Sequence, residues 1–139
     1  MFAAFPLLAL PVLFYNALAL AMPQGFRSAL AQDQMGRDLL RVPTASGGIW
    51  PIDTGDILVF ASLLILFIEL LKSTTSRRIA IINHSLSMIL FIVCLVEFLL
   101  FRAFATSAFF LITVMVLLDV LAGFIVTIVA SRRDIDVIG

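Results

Sequence analysis

Four ionisable side chains lie inside apolar stretches long enough to cross a membrane, and they are the residues best suited to chemistry. They are Glu69, His84, Glu97 and Asp119. An ionisable group at bilayer depth costs about 2.5–3.5 kcal/mol on insertion scales. The presence of each one therefore needs a physical explanation.

Asp119 is the strongest candidate of the four. It lies near the middle of its apolar block, where a short side chain reaches neither interface. Gly123 and Thr127 follow at i+4 and i+8 and form a small, polar stripe on the same helix face, which favours close helix packing. Two interpretations stay open: Asp119 bonds a neighbouring helix and fixes packing, or it handles protons or ions or docks a partner helix.

The preceding apolar block carries a polar face of its own. Asn83, Ser87, Leu90, Cys94 and Glu97 recur at three-to-four-residue spacing, with His84 beside them, and this spacing places them on one side of a helix. A lone histidine in such a position is more often a hydrogen-bonded structural residue than a ligand. A contact between His84 and Asp119 requires their helices to be neighbours, which the sequence does not establish.

Glu69 and Glu97 each lie near the predicted end of a helix. Lys72 follows Glu69 at i+3, and Arg102 is the cation nearest to Glu97 in the sequence. Because a carboxylate opposes the helix dipole at a C-terminus, a neighbouring cation compensates it. We expect both to be structural, interfacial pairs. Gly55, Ser62 and Glu69, at seven-residue intervals, mark the inward face of their helix.

The inventory of reactive residues argues against an enzyme. The chain has one His and one Cys, too few for a metal cage or a bis-His haem site within the chain. No Gly-rich phosphate loop or nucleophile elbow occurs. We therefore expect no catalytic residues, no cofactor and no metal, and the zero net charge predicts no nucleic-acid partner.

Composition points to an integral membrane protein. The chain is 63% hydrophobic and 13% charged, whereas a soluble domain carries about a quarter charged residues. We predict an all-α membrane domain over residues 1–139, with four transmembrane helices in an up-down bundle. The predicted spans are residues 3–21, 54–71, 79–100 and 105–130. The first is interpreted as a retained helix rather than a signal peptide, since no Lys or Arg precedes it.

A polar surface segment, residues 22–53, separates the first two spans. Ala31, Met35, Leu39 and Val42 fall at helical spacing, which predicts a short amphipathic helix within residues 24–42 at the membrane surface; an irregular loop is the alternative. Trp50 is predicted to anchor the segment at headgroup level.

Lys and Arg residues set the predicted orientation. With four spans, the side that holds both termini carries five of them close to helix ends: Lys72, Arg77, Arg78, Arg132 and Arg133. The other side carries four, mostly spread through the long loop. The positive-inside rule then places both termini in the cytoplasm.

Residues 50–136 resemble a group of small four-helix bacterial inner-membrane proteins with no assigned activity. The resemblance is carried by Gly55-Asp56, Glu69 to Lys72, His84 with Ser87-Met88, Val96-Glu97-Phe98-Leu99, Thr106-Ser107 with Phe109-Phe110, Asp119-Val120 with Ala122-Gly123, and Arg132-Arg133-Asp134. It implies a bacterial inner membrane and nothing about chemistry.

Three functions are compatible with these features. The first is an accessory or structural subunit that associates, through the lipid bilayer, with other membrane subunits or with itself. The second is a homo-oligomeric ion or proton channel or transport component that uses Asp119. The third is a membrane-stress or lipid sensor that uses the surface segment 24–42. The subunit hypothesis leads, because the chain has little extramembrane mass beside its intramembrane polar stripes.

Overall fold

The structure, a computed structural model, describes residues 5–72 and 77–138; side chains of residues 77–80, 127, 130–131 and 133–138 lie outside the description. The chain is mostly helical, with 74% of residues in helices. The helices are α1 (Ala9–Ala21), α2 (Ala31–Met35), α3 (Thr54–Lys72), α4 (Arg77–Leu100) and α5 (Ser107–Ile138). Two strands, β1 (Asp38–Pro43) and β2 (Ile49–Asp53), precede α3.

Three helices are long and apolar enough to cross a membrane. The qualifying stretches are Thr54–Lys72, Ile81–Leu100 and Ser107–Val126. α1 has 13 residues, which corresponds to about 20 Å at 1.5 Å per residue, against about 30 Å of hydrocarbon. It begins later than predicted, at Ala9, so that Pro11 falls in the first turn, where its missing N–H costs no helix hydrogen bond.

The central element of the bundle is α5. It packs along α3 on one side and α4 on the other, while α1 contacts both α3 and α5. Phe109, Ile112 and Val116 of α5 are fully buried. Most other large apolar side chains of the long helices point outward, as in Phe60, which is 62% exposed. Such a surface suits hydrocarbon, because lipid tails are as apolar as the side chains themselves.

The surface segment differs from the prediction. α2 supplies only five helical residues, and the chain then forms an antiparallel hairpin in which Val42 pairs with Trp50. The predicted helix within residues 24–42 is therefore wrong beyond Met35. Pro43 and Pro51 each lack the N–H that a continuing helix needs. Gly47, with φ of 83°, supplies the left-handed turn conformation.

Residues 25–35 form a cap over one end of the bundle. The Phe26 ring lies 5.1 Å from the Phe104 ring and 5.5 Å from the Phe101 ring. Ser28, Ala31 and Met35 are buried. This first half of the surface segment thus packs on the helices, whereas residues 36–51 are exposed.

Helix caps fix where α3 and α5 begin. Asp53 Oδ1 accepts from the Asp56 backbone N at 2.7 Å, and Asp56 Oδ2 accepts from the Asp53 N at 3.2 Å. This reciprocal arrangement satisfies two donors at a helix start and makes Asp53 the N-cap of α3. Thr106 caps α5 with a single bond, since its Oγ1 accepts from the Phe109 N at 3.2 Å.

Candidate functional site

The candidate site is a polar seam of three hydrogen-bonded layers that runs through the interior of the bundle. Along α4 the seam extends from Asn83 to Glu97, fourteen residues that correspond to about 21 Å of helix. Glu69, Asp119 and Glu97, the three carboxylates predicted to lie within the membrane, belong to it, one in each layer.

The first layer joins three segments around Glu69 of α3, which is fully buried. Its Oε1 accepts from Asn83 Nδ2 of α4 at 2.6 Å, and its Oε2 accepts from the Leu7 backbone N at 2.9 Å. Lys72 Nζ lies 3.3 Å from Oε1 and donates to the Phe5 carbonyl at 2.5 Å. The predicted Glu69–Lys72 pair is present. Its carboxylate, however, lies in the interior, where it also holds α4 and the segment before α1.

The second layer joins α4 to α5. Ser87 Oγ donates to Asp119 Oδ2 at 2.6 Å, and both residues are buried. Asp119 therefore faces the bundle interior and bonds a neighbouring helix, which is the packing arrangement foreseen as one of its two interpretations. Whether it also handles protons stays a prediction.

His84 lies beside this second layer and packs against α5. A Cβ built on Gly123 would come within 2.9 Å of His84 Cγ, so any larger residue at position 123 would force the imidazole to move. The imidazole meets the Phe124 ring edge-on at 4.5 Å. Its two ring nitrogens are buried and make no hydrogen bond within the described part of the chain. Since a buried polar atom is normally paired, His84 is the unsatisfied residue of the seam.

The third layer joins α1 to α4. Asn16 Nδ2 donates to Glu97 Oε2 at 3.2 Å and to the Val12 carbonyl at 3.1 Å. Among the described residues the hydrogen-bond partner of Glu97 is thus Asn16 rather than Arg102, which is exposed. The interfacial pair predicted between Glu97 and Arg102 is wrong, because α1 reaches Glu97 from inside the bundle.

Next to the third layer, Tyr15 of α1 contacts the start of α5 and holds the two helices together. Its hydroxyl lies 2.6 Å from Thr106 Oγ1 and donates to the Ala103 carbonyl at 3.0 Å. The ring is fully buried between Phe104 and Phe109, with centroids 5.5 and 4.7 Å away. Neither Tyr15 nor Asn16 was among the residues predicted from the sequence. The available signal was that they are the two polar side chains of an otherwise apolar helix, Ala9–Ala21.

The remaining candidates occupy varied positions. Gly55 and Ser62 are buried on the predicted inward face of α3, and the Ser62 hydroxyl donates to the Leu58 carbonyl at 2.7 Å. Cys94 is fully buried on α4. Trp50 is 56% exposed on β2. The side chain of Thr127 lies outside the described part of α5.

Chemically, the seam is a set of interhelical clamps. Each of the three carboxylates accepts a hydrogen bond from a side chain on another helix. Within the residues that the structure describes, no group of three or more His, Cys, Asp or Glu side chains is arranged to hold a metal ion. Hydrogen-bonded carboxylates at three depths suit a role in helix association.

Comparison of the chain with protein-family models, with curated proteins and with solved structures finds no match.

Proposed function

We propose that the chain is a four-span protein of a bacterial inner membrane, with both termini on the cytoplasmic side, and that it serves as an accessory or structural subunit of a larger membrane complex. The bacterial setting is supported by the resemblance described above, and the orientation by the basic residues near the ends of the spans. The fourth span and the subunit role each rest on contacts within the bundle.

The contacts of α1 support a fourth crossing. The Leu7 N bonds Glu69 in the first layer of the seam, and Asn16 bonds Glu97 in the third. These layers are separated by about 21 Å along α4. The chain from Leu7 to Asn16 rises about 14 Å as helix and, with the reach of the glutamate side chains, contacts both ends of the seam.

The single observation that carries the subunit role is the internal pairing of Glu69, Glu97 and Asp119. With each carboxylate bonded inside the chain, the acids are used for cohesion, and the outward surface left for contacts is apolar. α4 offers the most such surface, since its exposed row of Ile89, Ile92 and Val96 lies opposite its buried polar face.

We expect the chain to leave the membrane as part of a larger assembly when it is extracted with its own lipids. Native mass analysis should then find it bound to another polypeptide, at a mass above the 15.2 kDa of one chain. Ile92→Trp should abolish that association, because a bulkier side chain overpacks a helix interface but is tolerated against lipid.

Phe67→Trp is the matched control, on the outward face of α3, where Phe67 is 61% exposed. It should leave the assembly intact. A protein that is always recovered as a single chain would contradict the subunit role, and an assembly that survives Ile92→Trp but not Phe67→Trp would move the docking face from α4 to α3.

A second candidate function is a homo-oligomeric proton or ion pathway through Asp119. The observation that favours it is His84. Its buried ring nitrogens make no hydrogen bond among the described residues and lie about one helical turn from Ser87, and so from the Asp119 layer. Groups of this type form proton relays in membranes.

For this candidate, Asp119→Asn should abolish proton flux into vesicles that hold the purified protein and a pH-sensitive dye. The asparagine keeps an acceptor for Ser87, so assembly should persist. Ser85→Ala, an outward-facing change on α4, should leave flux unaltered. No flux in the unmodified protein, or equal flux in the variant, would remove the candidate.

A further inference from the structure

A cleft of about 680 Å³ opens between the hairpin and the outer sides of α3 and α5. The hairpin wall consists of Leu40, Trp50 and Ile52, and the helix wall includes Phe60, Leu63 and Leu111. Leu40 pairs with Ile52 and Val42 pairs with Trp50, so these four side chains share one apolar face of the hairpin. The cleft therefore joins the extramembrane hairpin to the first turns of two membrane-crossing helices.

The upper end of the cleft is acidic. Asp53 and Asp56 both line it, and no Lys or Arg occurs among the described residues that do. Each carboxylate uses one oxygen to cap α3. The second oxygens, Asp53 Oδ2 and Asp56 Oδ1, make no hydrogen bond within the described part of the chain, so they are available to N–H donors of a ligand.

Aromatic rings add to the attraction for a cation. Trp50 and Phe60 lie in the same lining, on the hairpin and on α3 respectively. The faces of aromatic rings attract ammonium groups, most strongly when water is excluded. Carboxylates and aromatic rings without a competing basic residue select a positively charged group over a phosphate alone.

The lower end of the cleft is apolar and reaches into the span. Leu63 lies nine residues after the start of α3 at Thr54, about 13 Å deeper along the helix. A ligand that fills the cleft must therefore be charged at one end and apolar at the other. The cleft volume falls within the range of about 300–1,000 Å³ typical of small-molecule sites, enough for a headgroup and the upper part of one acyl chain.

We propose that this cleft is a binding site for a phospholipid with a primary ammonium headgroup, such as phosphatidylethanolamine. The ammonium group donates to the free oxygens of Asp53 and Asp56, and the acyl chain lies against Phe60 and Leu63. The site requires that α3 and α5 cross a membrane. It is independent of the subunit role, because it lies on α3 and α5 rather than on the outer row of α4.

The test places the full chain in nanodiscs that contain equal amounts of phosphatidylethanolamine, phosphatidylcholine and phosphatidylglycerol with identical acyl chains. After transfer to mild detergent, the lipids that stay bound are counted by native mass spectrometry. Phosphatidylethanolamine should be retained about fivefold over phosphatidylglycerol, the size expected for a partly exposed ion pair. Phosphatidylcholine should be retained less than phosphatidylethanolamine, because its headgroup has no N–H donor.

The double variant Asp53→Asn, Asp56→Asn should bring the retention ratio close to one. Its amide oxygens still accept the capping hydrogen bonds, so α3 should form as before. Asp33→Asn is the control for loss of an acidic charge outside the cleft, one charge against the two of the double variant, and it should keep the preference. Leu63→Trp should fill the lower end and reduce retention of all three lipids.

Folding of each variant is checked through Cys94, which must stay protected from thiol reagents as in the unmodified chain. Three results would overturn the proposal: equal retention of the lipids, a preference for phosphatidylglycerol, or a phosphatidylethanolamine preference that survives in a folded double variant. If the double variant does not fold, Leu63→Trp becomes the deciding variant. Lipid retention that is unchanged in Leu63→Trp would then overturn the proposal.

Discussion

Replacing Glu69 with alanine should destabilise the bundle by about 3–5 kcal/mol, the usual cost of removing one partner from a buried ion pair. The carboxylate is fully buried and holds Asn83, Lys72 and the Leu7 backbone together. Without it, the Asn83 amide loses its 2.6 Å acceptor and the segment before α1 loses its tie to α3. A buried donor left without a partner carries its full desolvation penalty.

Cys94 provides the measurement. It is the chain's one cysteine and is fully buried on α4, so it reacts with a maleimide only when the bundle opens. Labelling of Glu69→Ala in detergent should be about 100-fold faster or more, since each 1.4 kcal/mol is a factor of ten. Glu69→Gln keeps the acceptor oxygen for Asn83. Its labelling rate should therefore lie between those of Glu69→Ala and the unmodified chain. Equal labelling rates in Glu69→Ala and the unmodified chain would refute the clamp.

Replacing Tyr15 with alanine should lower the free energy of unfolding by a similar amount, about 3–5 kcal/mol, because truncation of a fully buried aromatic ring leaves a cavity. The ring fills the space between Phe104 and Phe109, and its hydroxyl binds Thr106 and the Ala103 carbonyl. Its loss should release α1 from the start of α5. Protease cleavage between α1 and α2 should then accelerate together with Cys94 labelling.

Tyr15→Phe separates the two contributions of that side chain. It keeps the ring and removes only the hydroxyl, so we expect a loss of about 1 kcal/mol, the net value of a typical hydrogen bond. A Phe variant as unstable as the Ala variant would show that the hydroxyl network, and not ring packing, dominates. An Ala variant as stable as the unmodified chain would show that α1 does not depend on Tyr15 for docking.

The two variants test different ends of α1. Glu69 holds the backbone before its first turn, whereas Tyr15 and Asn16 hold its second half. If α1 crosses the membrane as proposed, loss of either end should loosen the whole helix. A combined Glu69→Ala, Tyr15→Ala variant should then cost less than the sum of the single losses, because residues that act on one element are not additive.

Several features could be predicted from the sequence because they depend on local physics. Long apolar blocks indicate membrane-spanning helices, and the predicted start of the second span at residue 54 coincides with the start of α3 at Thr54. Helical spacing identified the buried sides of two helices, with Ser62 on α3 and Ser87 on α4 both buried. Asp53 could be predicted as a cap because capping involves residues only three positions apart.

The surface segment shows where local reasoning fails. Ala31, Met35, Leu39 and Val42 have helical spacing, yet β1 begins at Asp38. The hairpin forms because Val42 can pair with Trp50 across a turn and because the cap packs Phe26 against Phe104. Pairing partners and packing surfaces distant in the sequence override a weak periodic signal.

By itself, then, the sequence determined that the helices have apolar outer surfaces and that their polar residues share inward faces. A helical period of 3.6 residues fixes which side chains lie together. Only the tertiary structure decided what those polar residues touch. With α5 between α3 and α4, Asp119 meets Ser87. Because α1 packs against the bundle, Glu97 accepts a hydrogen bond from Asn16 rather than pairing with Arg102. The partner of a buried group depends on which helix lies opposite. The same helices, with the same inward faces, could be arranged side by side in several different orders, and the sequence does not choose between them.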